Sequence, residues 1–338
     1  MICMGRISIL HIARRTFATS NVNFVRFRGS STNPPLELVK VGKLCGSKKE
    51  GLFEPGQLFL HRVFAYRGVI VCSFNVKVKE IVKPNEAIDR TEIIPYYQVL
   101  IDRKDWDYMN FHPEMTSYFT ESAVGREKLL TVINGMDCVP HHEIIPYSTT
   151  EKDAIKHDLF ARIFEPNEES NDGPNFNIKK NLFPNFAVSN KKSWLTPQSV
   201  HVATNENVQL SVIPYYLGQS FTAGQQKYFW RYTVRLQSLD KKPAVLRDRI
   251  LKVFSLNNLQ QVNGPGVNGE NPRLTAENSV YQFSSIVELS QPKGGHMWGR
   301  FTMERDDGST FEILMPTIPL ECHPESTSEQ NEFENNHN

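Results

Sequence analysis

Nowhere in these 338 residues does an apolar run approach the roughly 18 positions a helix needs to cross a bilayer, so no membrane-spanning helix is expected. With 39% hydrophobic and 22% charged residues, the composition fits a globular protein long enough for two ordinary domains. Paired cysteines are missing as well. The five present (Cys3, Cys45, Cys72, Cys138 and Cys322) lie far apart with no C-x-x-C, which excludes a zinc framework and points to unpaired thiols in a reducing compartment. There is no G-x-S-x-G, no H-E-x-x-H and no G-K-[ST] phosphate loop. The common hydrolase and nucleotidase signatures are therefore absent. His141-His142-Glu143 is the one dense cluster of potential ligands, but adjacent residues on a strand or helix point apart, and no metal is expected there.

Acidic residues are also missing from the start of the chain. The first is Glu37, whereas Arg6, His11, Arg14, Arg15, Arg26 and Arg28 precede it among many Ser and Thr residues. That is the makeup of a mitochondrial transit peptide, with Ile7, Ile9, Leu10 and Ile12 able to form the apolar side of a short helix. Arg15 lies just before Phe17 and Ala18, which places cleavage near those two residues. The expected leader is 1–17 and could extend to about 50. Its loss removes three arginines, leaving 35 basic against 37 acidic residues. From Gly51 to Glu165 there are 13 Lys and Arg against 17 Asp and Glu. Such an excess of acid disfavours a direct nucleic-acid surface, which needs clustered cations.

Gly264, Gly266 and Gly269 have the G-x-G-x-x-G spacing of a dinucleotide-binding loop. That motif works where a hydrophobic strand enters the first glycine and a helix starts at the last. Here the polar NNLQQVN precedes it and Pro272 follows. The interleaved Asn263, Pro265 and Asn268 indicate a turn between strands, with a pyrophosphate loop as the alternative.

Gln57–Phe74 reads as strand, turn and strand with its break at Arg67-Gly68, and Tyr96–Asp102 as a third strand. Thr150 can cap a helix over 151–164, whose Ile155, Leu159, Phe160, Ile163 and Phe164 form a core-facing stripe. Residues 166–199, rich in Asn, Pro and charge, read as a linker or long surface loop. Beyond it, short β-rich pieces at Val208–Tyr216, Tyr228–Leu239, Arg249–Leu256, Tyr281–Leu289, Gly299–Arg305 and Thr310–Met315 imply an antiparallel β-sandwich. Asp306-Asp307-Gly308-Ser309 is its last hairpin turn. The polar 323–338 reads as a disordered tail.

Gly264-x-Gly266-Val267-x-Gly269-x-x-Pro272, Tyr281-x-Phe283-x-Ser285, Gly295-x-Met297-x-Gly299, Asp307-Gly308 and Pro316-x-x-x-Leu320 resemble the ApaG domain, a fibronectin-like β-sandwich, over 200–322. Asn268 stands where that family has a β-branched residue. Phe53-x-x-Gly56-Gln57, His61, Tyr66-x-Gly68-Val69 and Tyr96-Tyr97-x-Val99 resemble the YccV-like domain, a small β-barrel, over 51–165. Arg103–Thr150 departs most from that pattern. The pairing is similar to the DNA polymerase delta-interacting protein 2 family. The resemblance implies a mainly β protein with one or two helices, acting without catalysis, cofactor or metal as an adaptor. Its implied partners are DNA polymerase subunits, the sliding clamp and the mitochondrial Clp unfoldase, in the matrix with the nucleus as a second location. A monomer is expected. Gln57-x-x-Leu60-x-x-Val63-Phe64 partly matches a clamp-binding peptide, but lies in an expected core strand.

One segment carries a partner-surface expectation from its residues. Gly295 and Gly299 bracket Met297 and Trp298, so the indole can be held outward as an anchor, with Arg300 beside it. The competing reading is that Trp298 covers the sandwich core.

Overall fold

The computed structural model describes residues 21–25, 38–46, 51–83, 86–109, 116–121, 128–168, 174–181, 194–222, 224–256, 258–267 and 269–322. The expected leader with Phe17 and Ala18, and the expected tail, lie outside them.

The protein is mainly β. Its N-terminal half holds β1 (Asn21–Val25), β2 (Leu38–Leu44), β3 (Leu58–His61), β4 (Arg67–Lys83), β5 (Glu86–Ile101), β6 (Thr116–Glu121), β7 (Lys128–Ile133), β8 (Met136–Pro140) and β9 (Ile144–Ser148). Strands β2, β9, β3, β4, β5 and β8 are neighbours in that order and curl into a small barrel. Alternation divides their side chains between two cores. Phe59, Ile70, Tyr97, Val99, Ile101, Val139 and Ile144 share the inside. Leu58, Leu60, Val69, Val71 and Leu100 face outward and are covered by Ala154, Ile155, Phe160, Phe164, Phe176 and Leu195. Phe176 lies on β11 (Phe176–Ile178), which pairs with β10 (Phe164–Pro166). Parts of 166–199, the expected linker, thus pack into this core.

Two local expectations are corrected. The break between β3 and β4 is 62–66, where Ala65 has φ 57° and His61 Nδ1 accepts from the amides of Val63 and Phe64. Arg67 and Gly68 instead open β4, and a Cβ on Gly68 would meet the Phe59 ring at 2.7 Å, so this glycine serves close approach. The helix expected over 151–164 is reduced to α1 (Phe160–Ile163). Long-range bonds take its backbone, as Lys156 N donates to Asp102 Oδ1 and Arg103 N donates to Lys156 O, and the His157 ring is tied down too, its Nε2 lying 2.8 Å from Asn134 O. Thr149, not Thr150, caps the bend, accepting from Glu151 N. The apolar stripe still enters the core.

The C-terminal half is the expected antiparallel sandwich. One sheet continues from the barrel through β12 (Val200–Asn205), β13 (Val208–Thr222), β14 (Gln225–Ser238) and β18 (Val280–Leu289). The other runs β16 (Asn258–Pro265), β15 (Ala244–Ser255), β19 (Gly295–Arg305), β20 (Thr310–Leu320), with β17 (Arg273–Leu274) also on β15. Trp230, Leu246, Phe301, Met303 and Ile313 are fully buried between them. Gly308, at φ 82°, closes the last hairpin, with Arg305 N donating to Ser309 O. The two halves join where β12 pairs in parallel with β4, Val200 beside Val78 through Ala203 beside Ile81.

Candidate functional site

Strand β14 alternates Trp230, Tyr232, Val234 and Leu236 into the sandwich with Arg231, Thr233 and Arg235 on the other face. That second face meets the barrel. Arg235 forks onto Glu143, NH2 to Oε1 at 2.6 Å and NH1 to Oε2 at 2.7 Å, and His61 Nε2 lies 3.1 Å from the same carboxylate. Gln282, the cross-strand neighbour of Arg235, donates to Asp137 Oδ1 at 3.1 Å, while Tyr66 OH donates to Oδ2 at 2.7 Å. Arg231 lies over the Tyr215 ring at 4.2 Å. A cavity of about 30 Å³, the scale of a water molecule, is lined by Asp137, Cys138, Tyr215, Arg231 and Arg235.

The electrostatics describe a seam that fastens the barrel to the sandwich. Burial would raise the Glu143 carboxyl, but Arg235 and the hydrogen bond from His61 outweigh it and hold the group far below the usual carboxylate range. Burial pushes the Cys138 thiol up to about 12, and Cys72 equally, so both stay protonated at neutral pH. Sequence reading missed this seam. Its signal was present in the alternation of Arg231 and Arg235 against apolar residues on one strand, which marks a second face needing acidic partners.

The residues singled out as a partner surface lie on the opposite side of the sandwich. Gly295 and Gly299 are strand residues, each with neighbouring atoms where a Cβ would stand, so the backbone there is fixed. Met297 is buried, while Trp298 is half-buried at a break in register between β19 and β20. Arg300 is exposed and pairs with Glu312 at 3.1 Å. Trp298 and Arg300 are thus brought together on one outward face with Ile250, Lys252 and Phe254.

Gly266 and Gly269 form a turn. Gly266 (φ 54°) donates to Arg247 O, and Val267 and Glu270 exchange amide hydrogen bonds. Gly264 is a strand residue opposite Arg249. In His141-His142-Glu143, His141 stacks on Phe53 and bonds Tyr97, His142 is exposed with its Nε2 3.9 Å from Glu143 Oε1, and Glu143 turns inward to Arg235. Leu60 of the clamp-like stretch is buried in β3.

Two family models match this chain: the ApaG domain over 219–305, and the hemimethylated DNA-binding protein YccV-like family over 52–171. The class defined is a YccV-like barrel followed by an ApaG sandwich. Polymerase delta-interacting protein 2 of Homo sapiens is 33% identical over 323 residues, 91% of this chain and 86% of the human one. The Mus musculus protein is 34% identical over 300 residues, 85% and 80% of the respective chains. The ApaG protein of Agrobacterium fabrum is 32% identical over 120 residues, 35% of this chain and 91% of its own. The chain belongs to the polymerase delta-interacting protein 2 family.

Proposed function

We propose that this protein is a non-catalytic adaptor of the mitochondrial matrix that binds polymerase subunits and Clp-type protease components through surfaces presented by both halves. The observation that carries it is the 33% identity over 91% of the chain to a relative named for its interaction with polymerase delta. The acid-free, Arg-rich start supports import, with cleavage near Phe17 or Ala18. Protonated thiols at Cys72 and Cys138, and a glycine turn whose Gly266, Val267 and Glu270 amides are taken by backbone carbonyls, support a role in binding over chemistry. A nuclear pool and sliding-clamp binding belong to the same reading.

Two measurements test it. Sequencing the N-terminus of the protein from purified mitochondria should show loss of about the first 17 residues, and recovery of intact Met1 would contradict import. Titration of the purified chain with recombinant polymerase delta subunits and the mitochondrial Clp unfoldase should show saturable binding to at least one. Binding to none contradicts the adaptor reading.

A further inference from the structure

A row of unused backbone groups borders the ApaG sandwich. Among the described residues β16 pairs on one side only, with β15, and seven of its eight residues are exposed. Edge strands are ordinarily protected by lysines, bulges or covering loops. The far edge of this sheet follows that rule, since Asn205 Nδ2 donates to Glu312 O of β20. Strand β16 carries no charge at all in Asn258–Pro265, and its Leu259 and Val262 are exposed by 52% and 53%. Leu259 lies beside Phe254, itself exposed, and Leu256 in the adjoining turn adds a further apolar side chain.

We infer that the β16 edge accepts an extended segment of a partner protein as an added antiparallel strand, with an apolar residue opposite Leu259 and an acidic residue near Gln261. This rests on the adaptor reading and names the surface it uses. The backbone dictates the form of the occupant, because alternating N–H and C=O groups along an edge are satisfied together only by another extended chain. Charge dictates the composition. Lys252 stands beside Gln261 on the outward face, one strand from the edge and within reach of a carboxylate on the added strand. A second copy of this chain fits poorly. A two-fold axis normal to the sheet pairs residues of the same face, and the two registers of longest overlap place Leu259 opposite Asn263 or Pro265. The first gives it a polar partner, and the second a proline with no N–H to give to the ladder.

The test uses the full chain and a blocked decapeptide alternating valine and threonine with one central glutamate. The peptide should slow amide hydrogen exchange across 258–265 and bind measurably by fluorescence anisotropy. N-methylation of its alternate amides, a glutamate-to-lysine change, or Leu259→Lys with Val262→Lys in the protein should each weaken binding by about tenfold or more. If the doubly substituted protein fails to fold, the N-methylated peptide on the unaltered chain decides. No protection at millimolar peptide, protection elsewhere, equal binding of the N-methylated peptide, or self-association that protects β16 without peptide would each overturn the assignment. Such failure leaves the adaptor reading standing, since direct titration with whole partners tests that separately.

Discussion

Arg235 and Glu143, 92 positions apart, are joined by two hydrogen bonds of 2.6 and 2.7 Å with side chains 14% and 6% exposed. One residue belongs to the sandwich and the other to the barrel. A buried pair of this kind contributes little over an apolar replacement but costs much when broken. Arg235→Ala or Glu143→Ala should each destabilise the chain by about 3–5 kcal/mol, because the remaining charge is stranded. The double replacement Arg235→Met with Glu143→Leu should cost less than either single change. Urea unfolding checks this, and additive losses would show that the two groups do not act as a pair.

Gly266 offers a sharper stability test. Its φ is 54°, and a Cβ would lie 1.7 Å from Glu270 O. Gly266→Ala should lower stability by about 1 kcal/mol or more. Gly264, in a regular strand with open space around it, should accept alanine with little change. Equal effects at both positions would contradict the turn geometry.

Trp298 is half-buried on the outward face instead of being enclosed. Trp298→Ala should therefore cost well under the about 3–5 kcal/mol of a buried aromatic. If this face is a partner surface, the same change should weaken partner binding by about 2 kcal/mol or more, and Arg300→Glu should reduce it without unfolding. Unaltered affinity in both variants would remove this face from consideration.

Stability should fall in acid in two separate windows. Burial, with Lys79 nearby, lowers His201 to about 4, against about 6.5 for an unfolded histidine. Between those values the unfolded chain binds more protons, so stability declines as pH drops from about 6.5 and levels near 4, by a few kcal/mol in order of magnitude. Glu143 is depressed instead, so its contribution is present above the ordinary carboxylate range, near 4.3, and is lost only below it. His201→Gln should shrink the upper window, to which His142 and His157, also lowered by burial, contribute with the same sign, and should leave the lower one. Unfolding titrations at stepped pH report both.

The sandwich was legible because its strands alternate and are bounded by turn formers, as Asp307-Gly308 shows. Strand ends were underestimated where a long partner extends a strand, as β5 does from Tyr96 back to Glu86 along β4. The helix over 151–164 failed because periodicity cannot register a carboxylate such as Asp102, remote in sequence, that claims the Lys156 amide. The parallel pairing of β4 with β12, and the identity of Glu143 as the acid that the β14 arginines call for, were illegible for the same reason. Both depend on residues that only the fold brings together. The outward grouping of Trp298 with Arg300 was visible because both lie on one strand at a spacing of two.

The claim that both halves present surfaces to one partner is tested most directly by crosslinking mass spectrometry on intact mitochondria, with the protein at its native level. Lys152 on the barrel side and Lys241 on the sandwich side are both exposed. The account predicts that a single partner protein is crosslinked to lysines of both halves, and that Arg235→Ala, which loosens the seam, reduces the dual crosslinks more than total capture. Crosslinks confined to one half, or none above background, would contradict it.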